Sequence, residues 1–146
     1  MFNPTQNPMA TTSQIQYLGN LRTQATHVAS GESIVTDAPV DNHGRGEAFS
    51  PTDLAATSLG SCAMTIMGIV ANREGVDLTG STIDVTKIMS TDTPRRIVRI
   101  EVQFHMKSDR SLSATEQKKL EAAAHACPVA QSLHPAIEQV FTFHWV

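Results

Sequence analysis

Two cysteines, Cys62 and Cys127, are the side chains of this sequence best suited to covalent chemistry. Neither belongs to a Cys-x-x-Cys pair, and no histidine stands at zinc-knuckle spacing from either, so a structural metal site is not expected. A structural disulfide, two unrelated buried thiols and a redox pair are the readings open to them. The context of Cys127 weighs toward the redox pair. Pro128 suits the first position of a helix, which places Cys127 at the N-cap, where unpaired backbone N–H groups and the helix dipole favour a thiolate. Cys62 instead stands amid Leu59, Ile66 and Met67, where burial raises a thiol pKa unless a cation or a hydrogen-bond donor reaches it. Arg45, a little upstream, is the natural candidate for that cation, with Glu47 or Asp53 to orient its guanidinium through a bidentate pair.

The element that must position Cys62 is the stretch from Ser50 to Gly75. Ser50 can cap it, Pro51 fits its first turn, and Asp53 puts a negative charge at the positive end of the helix. Leu54, Leu59, Ala63, Ile66, Met67 and Val70 recur at helical steps, and Gly60 and Gly68 let other backbones approach closely. Gly75 supplies the stop, so the spacing predicts a central helix roughly 36 Å long at about 1.5 Å per residue.

The flanking chain supplies sheet. From Gln14 to Val35 it is rich in Thr, Val, Ile and Tyr and is broken by the turn dipeptides Gly19-Asn20 and Ser30-Gly31, which predicts two or three antiparallel strands. A loop follows over Asp37 to Glu47, carrying His43, Arg45 and Glu47 close together. After the helix, Ser81 to Ser90 and Arg96 to Met106 read as a second antiparallel pair. In the latter strand Val98, Ile100, Val102, Phe104 and Met106 alternate with polar residues. Ser113 and Glu116 form a capping box for a helix ending near Ala126, and Gln139 to Val146 reads as a last strand. The layout is α+β, with helices covering antiparallel sheets.

Composition narrows the function classes. At 146 residues the chain fits one domain, assigned to 14–146 after a flexible arm over 1–13 in which Met9 would itself make an ordinary start. A net charge of −3 with dispersed basic residues gives no footprint for nucleic acid. The apolar run within Cys62 to Val70 is too short and interrupted for a membrane span, and the N-terminus does not resemble a signal peptide. A cytoplasmic, reducing location is the expectation.

Pro51-Thr52-Asp53-Leu54, then Gly60-Ser61-Cys62, and far downstream Ala126-Cys127-Pro128-Val129 with Ser132-Leu133, resemble the OsmC/Ohr superfamily of osmotically inducible and organic hydroperoxide resistance proteins. The resemblance runs from about Ile15 to the end of the chain. It implies an intertwined, swapped homodimer and thiol-dependent reduction of organic hydroperoxides, alkyl or lipid. Cys62 then holds the peroxidatic position and Cys127 the resolving one. No metal or organic cofactor is implied; reducing equivalents come from an external dithiol such as a lipoylated protein. Characterised peroxidases of the family tend to carry a glutamate directly after the helix-opening proline, where this sequence has Thr52. The family draws its arginine from different loops, which makes Arg22 the second candidate after Arg45. Besides the peroxidase, two functions stand as alternatives: a binding or sensing protein that keeps the fold and apolar pocket with little turnover, and a thiol hydrolase or transferase.

Overall fold

Strand pairing at the N-terminal end follows the turn residues. The computed structural model describes residues 10–146, so most of the arm expected at 1–13, Met9 included, lies outside the described residues. β1 (Ser13–Gly19), β2 (Arg22–His27) and β3 (Ser33–Asp37) form an antiparallel sheet in the order β1-β2-β3. Gly19 pairs with Arg22 across the first turn, whose central residues Asn20 and Leu21 have φ of 52° and 61°, the primed geometry that matches strand twist. No hydrophobic residue of these three strands is buried; Ile15, Tyr17 and Ile34 are 68%, 63% and 52% exposed. The strands and the loop after them belong to a first compact unit, which ends at Pro51.

A second unit runs from Thr52 to Val146. Its helix α1 (Pro51–Arg73) is long and apolar enough, by length and composition alone, to cross a membrane. Here it is a core helix that buries Ala56, Leu59, Gly60, Ala63, Met67 and Ala71. The predicted stop is present: Gly75 has φ of 69°, its N–H bonds to the Asn72 carbonyl at 3.2 Å, and the Val76 N–H bonds to the Ala71 carbonyl at 2.9 Å. That pair of bonds is a Schellman cap, which a residue with a Cβ closes only under strain.

The remaining elements are β4 (Thr82–Met89), β5 (Ile97–Met106), α2 (Ala114–His125), α3 (Pro128–Ser132) and β6 (Glu138–Trp145). β5 is the middle strand, and the alternation read from its sequence is its structure: Ile100, Val102, Phe104 and Met106 have no exposed surface. Burial of each such side chain contributes about 1.5–3 kcal/mol. Ile83 and Val85 of β4, together with Phe141 and Phe143 of β6, stand beside Phe104 and Val102 and extend the apolar face. Gly60 brings α1 onto that face; a Cβ there would lie 2.8 Å from Val85 Cγ2 and 3.3 Å from Ile83 Cγ2.

The expectation of antiparallel sheets fails at β6. It pairs parallel with β5, from Arg99 opposite Glu138 to Met106 opposite Trp145, so this sheet is mixed. The reason is connectivity: α2 and α3 form a crossover that carries the chain back before the last strand begins, and such a crossover joins parallel neighbours.

The capping box of α2 is formed as predicted. The Ser113 N–H donates to the Glu116 carboxylate at 2.8 Å and the Glu116 N–H donates to Ser113 Oγ at 3.2 Å. Hydrogen bonds from Arg110 and from the Ser113 amide hold the Glu116 carboxyl at about 2. A depressed carboxyl supports the folded state above its ordinary pKa, and that support is lost as pH falls toward the folded value. Glu116→Gln is therefore expected to flatten the fall in thermal stability between the ordinary 4.5 and about 2, relative to wild type, in melts followed by circular dichroism.

Candidate active site

Cys62 lies midway along α1, at the margin of its buried stripe, and is half-buried between exposed Ser61 and buried Ala63. Cys127 occupies the corner between α2 and α3 and has no exposed surface. The local sequence makes that corner: α2 ends at Ala126, and Pro128, which lacks the N–H a continuing helix would need, starts α3 with Cys127 as its N-cap. Cys127 Sγ accepts a hydrogen bond from the Ala130 N–H at 3.4 Å. The corner is also held by Gln139, whose Nε2 donates to the Ala130 carbonyl at 3.0 Å.

The two thiols are unbridged and lie close enough for Cys62 to act on the electrostatics of Cys127. The fold has thus joined residues remote in sequence, as the redox reading requires. The electrostatics of Cys127 reverse the expectation drawn from its N-cap. Burial pushes this thiol up; the Ala130 amide opposes that, and the neighbouring Cys62 adds to it. Desolvation of a fully buried sulfur outweighs what a five-residue helix offers. Burial therefore favours the protonated form of Cys127 over a thiolate. His125, two residues earlier, is exposed and stacks on Phe141, with ring centroids 4.7 Å apart.

In the first unit a second polar cluster forms on paired strand ends. Arg22 and Asp37 face each other across β2 and β3. Arg22 Nε donates to Asp37 Oδ1 at 2.7 Å, and its Nη2 donates to Asp37 Oδ2 at 2.8 Å and to Glu47 Oε2 at 2.9 Å. The Glu47 N–H closes the ring by donating to Asp37 Oδ2 at 3.1 Å. Glu47 does orient a guanidinium, but that of Arg22, the second candidate, where Arg45 stood first. Arg45 is exposed and lowers the Asp37 carboxyl through its charge.

Asp53, offered for the same orienting role, pairs with Lys87 of β4 at 2.7 Å, and Lys87 Nζ also donates to Thr52 Oγ1 at 2.9 Å. Sequence reasoning missed Lys87 and Asp37. Both left a signal: Lys87 continues the inward-facing series Ile83, Val85, and Asp37 ends a strand whose hairpin partner begins with Arg22.

The family model described as OsmC-like protein matches residues 44–140. The chain belongs to the OsmC-like family. Among solved structures it is similar to a protein from Psychrobacter arcticus named for osmotic stress induction and detoxification response, at 48% identity and TM-score 0.88, covering 93% of this chain and 97% of that one. Two further OsmC-like folds are an organic hydroperoxide resistance protein OsmC from Legionella pneumophila (17% identity, TM-score 0.71, 92% and 98% covered) and an organic hydroperoxide resistance protein from Elizabethkingia anophelis (14%, 0.71, 95% and 99%). At those identities the likeness is one of fold. The comparison with curated proteins finds no match.

The ion pair of this OsmC-like chain carries its own pH dependence. The Arg22 guanidinium holds the buried Asp37 carboxyl below its ordinary 3.8, so the pair supports the fold above that pH and fades as pH falls. Asp37→Asn is expected to lower the calorimetric melting temperature by several degrees near neutrality. The gap to wild type should narrow steadily below about pH 3.8.

Proposed function

We propose that this protein is a thiol-dependent peroxidase that reduces organic hydroperoxides, alkyl or lipid, through Cys62 and Cys127. The observation that carries this reading is the meeting of the two sulfurs, one half-buried and one fully buried. The Cys62 thiolate attacks the distal oxygen of ROOH, the O–O bond breaks, and the alkoxide leaves as alcohol after taking a proton. Cys62 is then a sulfenic acid. The Cys127 thiol condenses with it; the S–S bond forms, the S–O bond breaks and water leaves. An external dithiol, such as a lipoylated protein, returns the disulfide to two thiols. Neither half of this cycle calls on a metal or an organic cofactor. Apolar neighbours of Cys62 such as Leu59 and Ile66 favour a substrate whose R group can be buried beside the sulfur.

Dithiol-supported consumption of cumene hydroperoxide should be readily measured in wild type and should fall by two orders of magnitude or more in Cys62→Ser. Peptide mapping after one equivalent of the hydroperoxide should show Cys62 crosslinked to Cys127 within one chain. A wild type no faster than Cys62→Ser would falsify the reading and leave the binding or sensing function.

The same reading includes a homodimer. The β1–β3 sheet leaves Ile15, Tyr17 and Ile34 largely exposed, and three strands without a covered apolar face are not independently stable. A second copy is the cover we assign to them. Sedimentation equilibrium is expected to return twice the 15.8 kDa chain mass; a concentration-independent monomer would refute the assignment.

A further inference from the structure

We propose that the reductant meets this disulfide only at Cys62: the dithiol bonds to the Cys62 sulfur, and Cys127 is the sulfur that leaves and then takes the proton of the second thiol. The inference rests on the peroxidase reading and concerns its reductive half. Thiol–disulfide exchange needs a thiolate to reach one of the two sulfurs, and which sulfur is attacked depends on access and on the basicity of the one that departs.

Access separates the two clearly. Cys62 stands on the margin of α1, half-buried, with Ser61 exposed beside it. Cys127 has no exposed surface and is a member of the hydrophobic core. The Ala130 N–H also occupies its sulfur, at 3.4 Å from Sγ. The corner is also fastened, by the Gln139 side chain on the Ala130 carbonyl at 3.0 Å and by the Leu133 N–H on the Val129 carbonyl at 3.1 Å. A nucleophile can reach Cys127 only by opening that corner.

Leaving-group strength alone points the other way, because burial pushes Cys127 up and a more basic sulfur departs more slowly. Access wins, since a poor leaving group slows exchange whereas an unreachable sulfur prevents it. The Ala130 amide already bonded to Cys127 is placed to meet the charge as the S–S bond breaks. The basicity of Cys127 then becomes useful. The reductant's thiolate forms a new S–S bond with Cys62 as the old one breaks, giving a mixed disulfide and a Cys127 thiolate. That thiolate removes the proton of the reductant's second thiol. The second sulfur, now a thiolate, attacks the reductant sulfur held on Cys62 and closes the oxidised dithiol, leaving Cys62 as thiolate and Cys127 as thiol. Two electrons pass from the dithiol to the protein disulfide, and the negative charge that the attacking thiolate brought ends on Cys62.

The test uses wild-type protein oxidised with diamide, which closes the disulfide without a hydroperoxide. The oxidised chain is mixed with 2-mercaptoethanol, a monothiol unable to complete the second step, quenched in acid, and alkylated with N-ethylmaleimide in denaturant. Peptide mass mapping should find mercaptoethanol on Cys62 and maleimide on Cys127, in excess over the reverse pattern by about tenfold or more. Equal labelling, an excess of mercaptoethanol on Cys127, or a chain that diamide cannot crosslink overturns the inference. Failure of the peroxidase reading would appear separately, as a disulfide that diamide closes and cumene hydroperoxide does not.

Discussion

The close approach of Cys62 to Cys127 is the constraint the second unit is arranged to satisfy. One sulfur is carried by a helix lying on the sheet, and the other by a corner that the chain reaches only after completing β5 and α2. A hairpin from β5 to β6 would have skipped that corner. The parallel crossover makes room for it, and α2 and α3 meet there because Pro128 ends one helix register and starts another. Gly60 sets α1 on β4 and β5 with no side chain between.

Desolvation decides the division of labour between the thiols. An N-cap cysteine followed by proline has the local ingredients of a reactive thiolate, yet the same corner is buried so completely that the charged form is the disfavoured one. Cys62, at the margin of its helix, escapes complete burial. In the proposed cycle this asymmetry gives each sulfur its part: the reachable one meets hydroperoxide and reductant, and the buried one holds and returns a proton.

The first unit is governed by ion pairing rather than by a core. Among its described residues the buried side chains, Thr36, Asp37 and Ser50, are polar, and the Asp37 carboxylate is satisfied by two bonds from Arg22 and one from the Glu47 amide. Charge-assisted bidentate geometry fixes the guanidinium plane, which a lysine could not reproduce. The apolar residues of its strands point into solvent in the single chain, which is why a second copy enters the proposed function.

Much of this was legible in the residues themselves. Caps, turns and periodicity are local, so Gly75 after α1, the Ser113 and Glu116 box, the Gly19-Asn20 turn and the alternation along β5 all stand where the sequence puts them. The paired cysteine motifs likewise identified the OsmC-like family. Tertiary structure alone decided the rest, because those properties belong to neighbours distant in sequence. It made β6 parallel to β5, gave Glu47 to Arg22 and Asp53 to Lys87, and reversed the pKa direction of Cys127. A dipole or a cap is written in a few consecutive residues, whereas the water removed from a sulfur depends on everything packed around it.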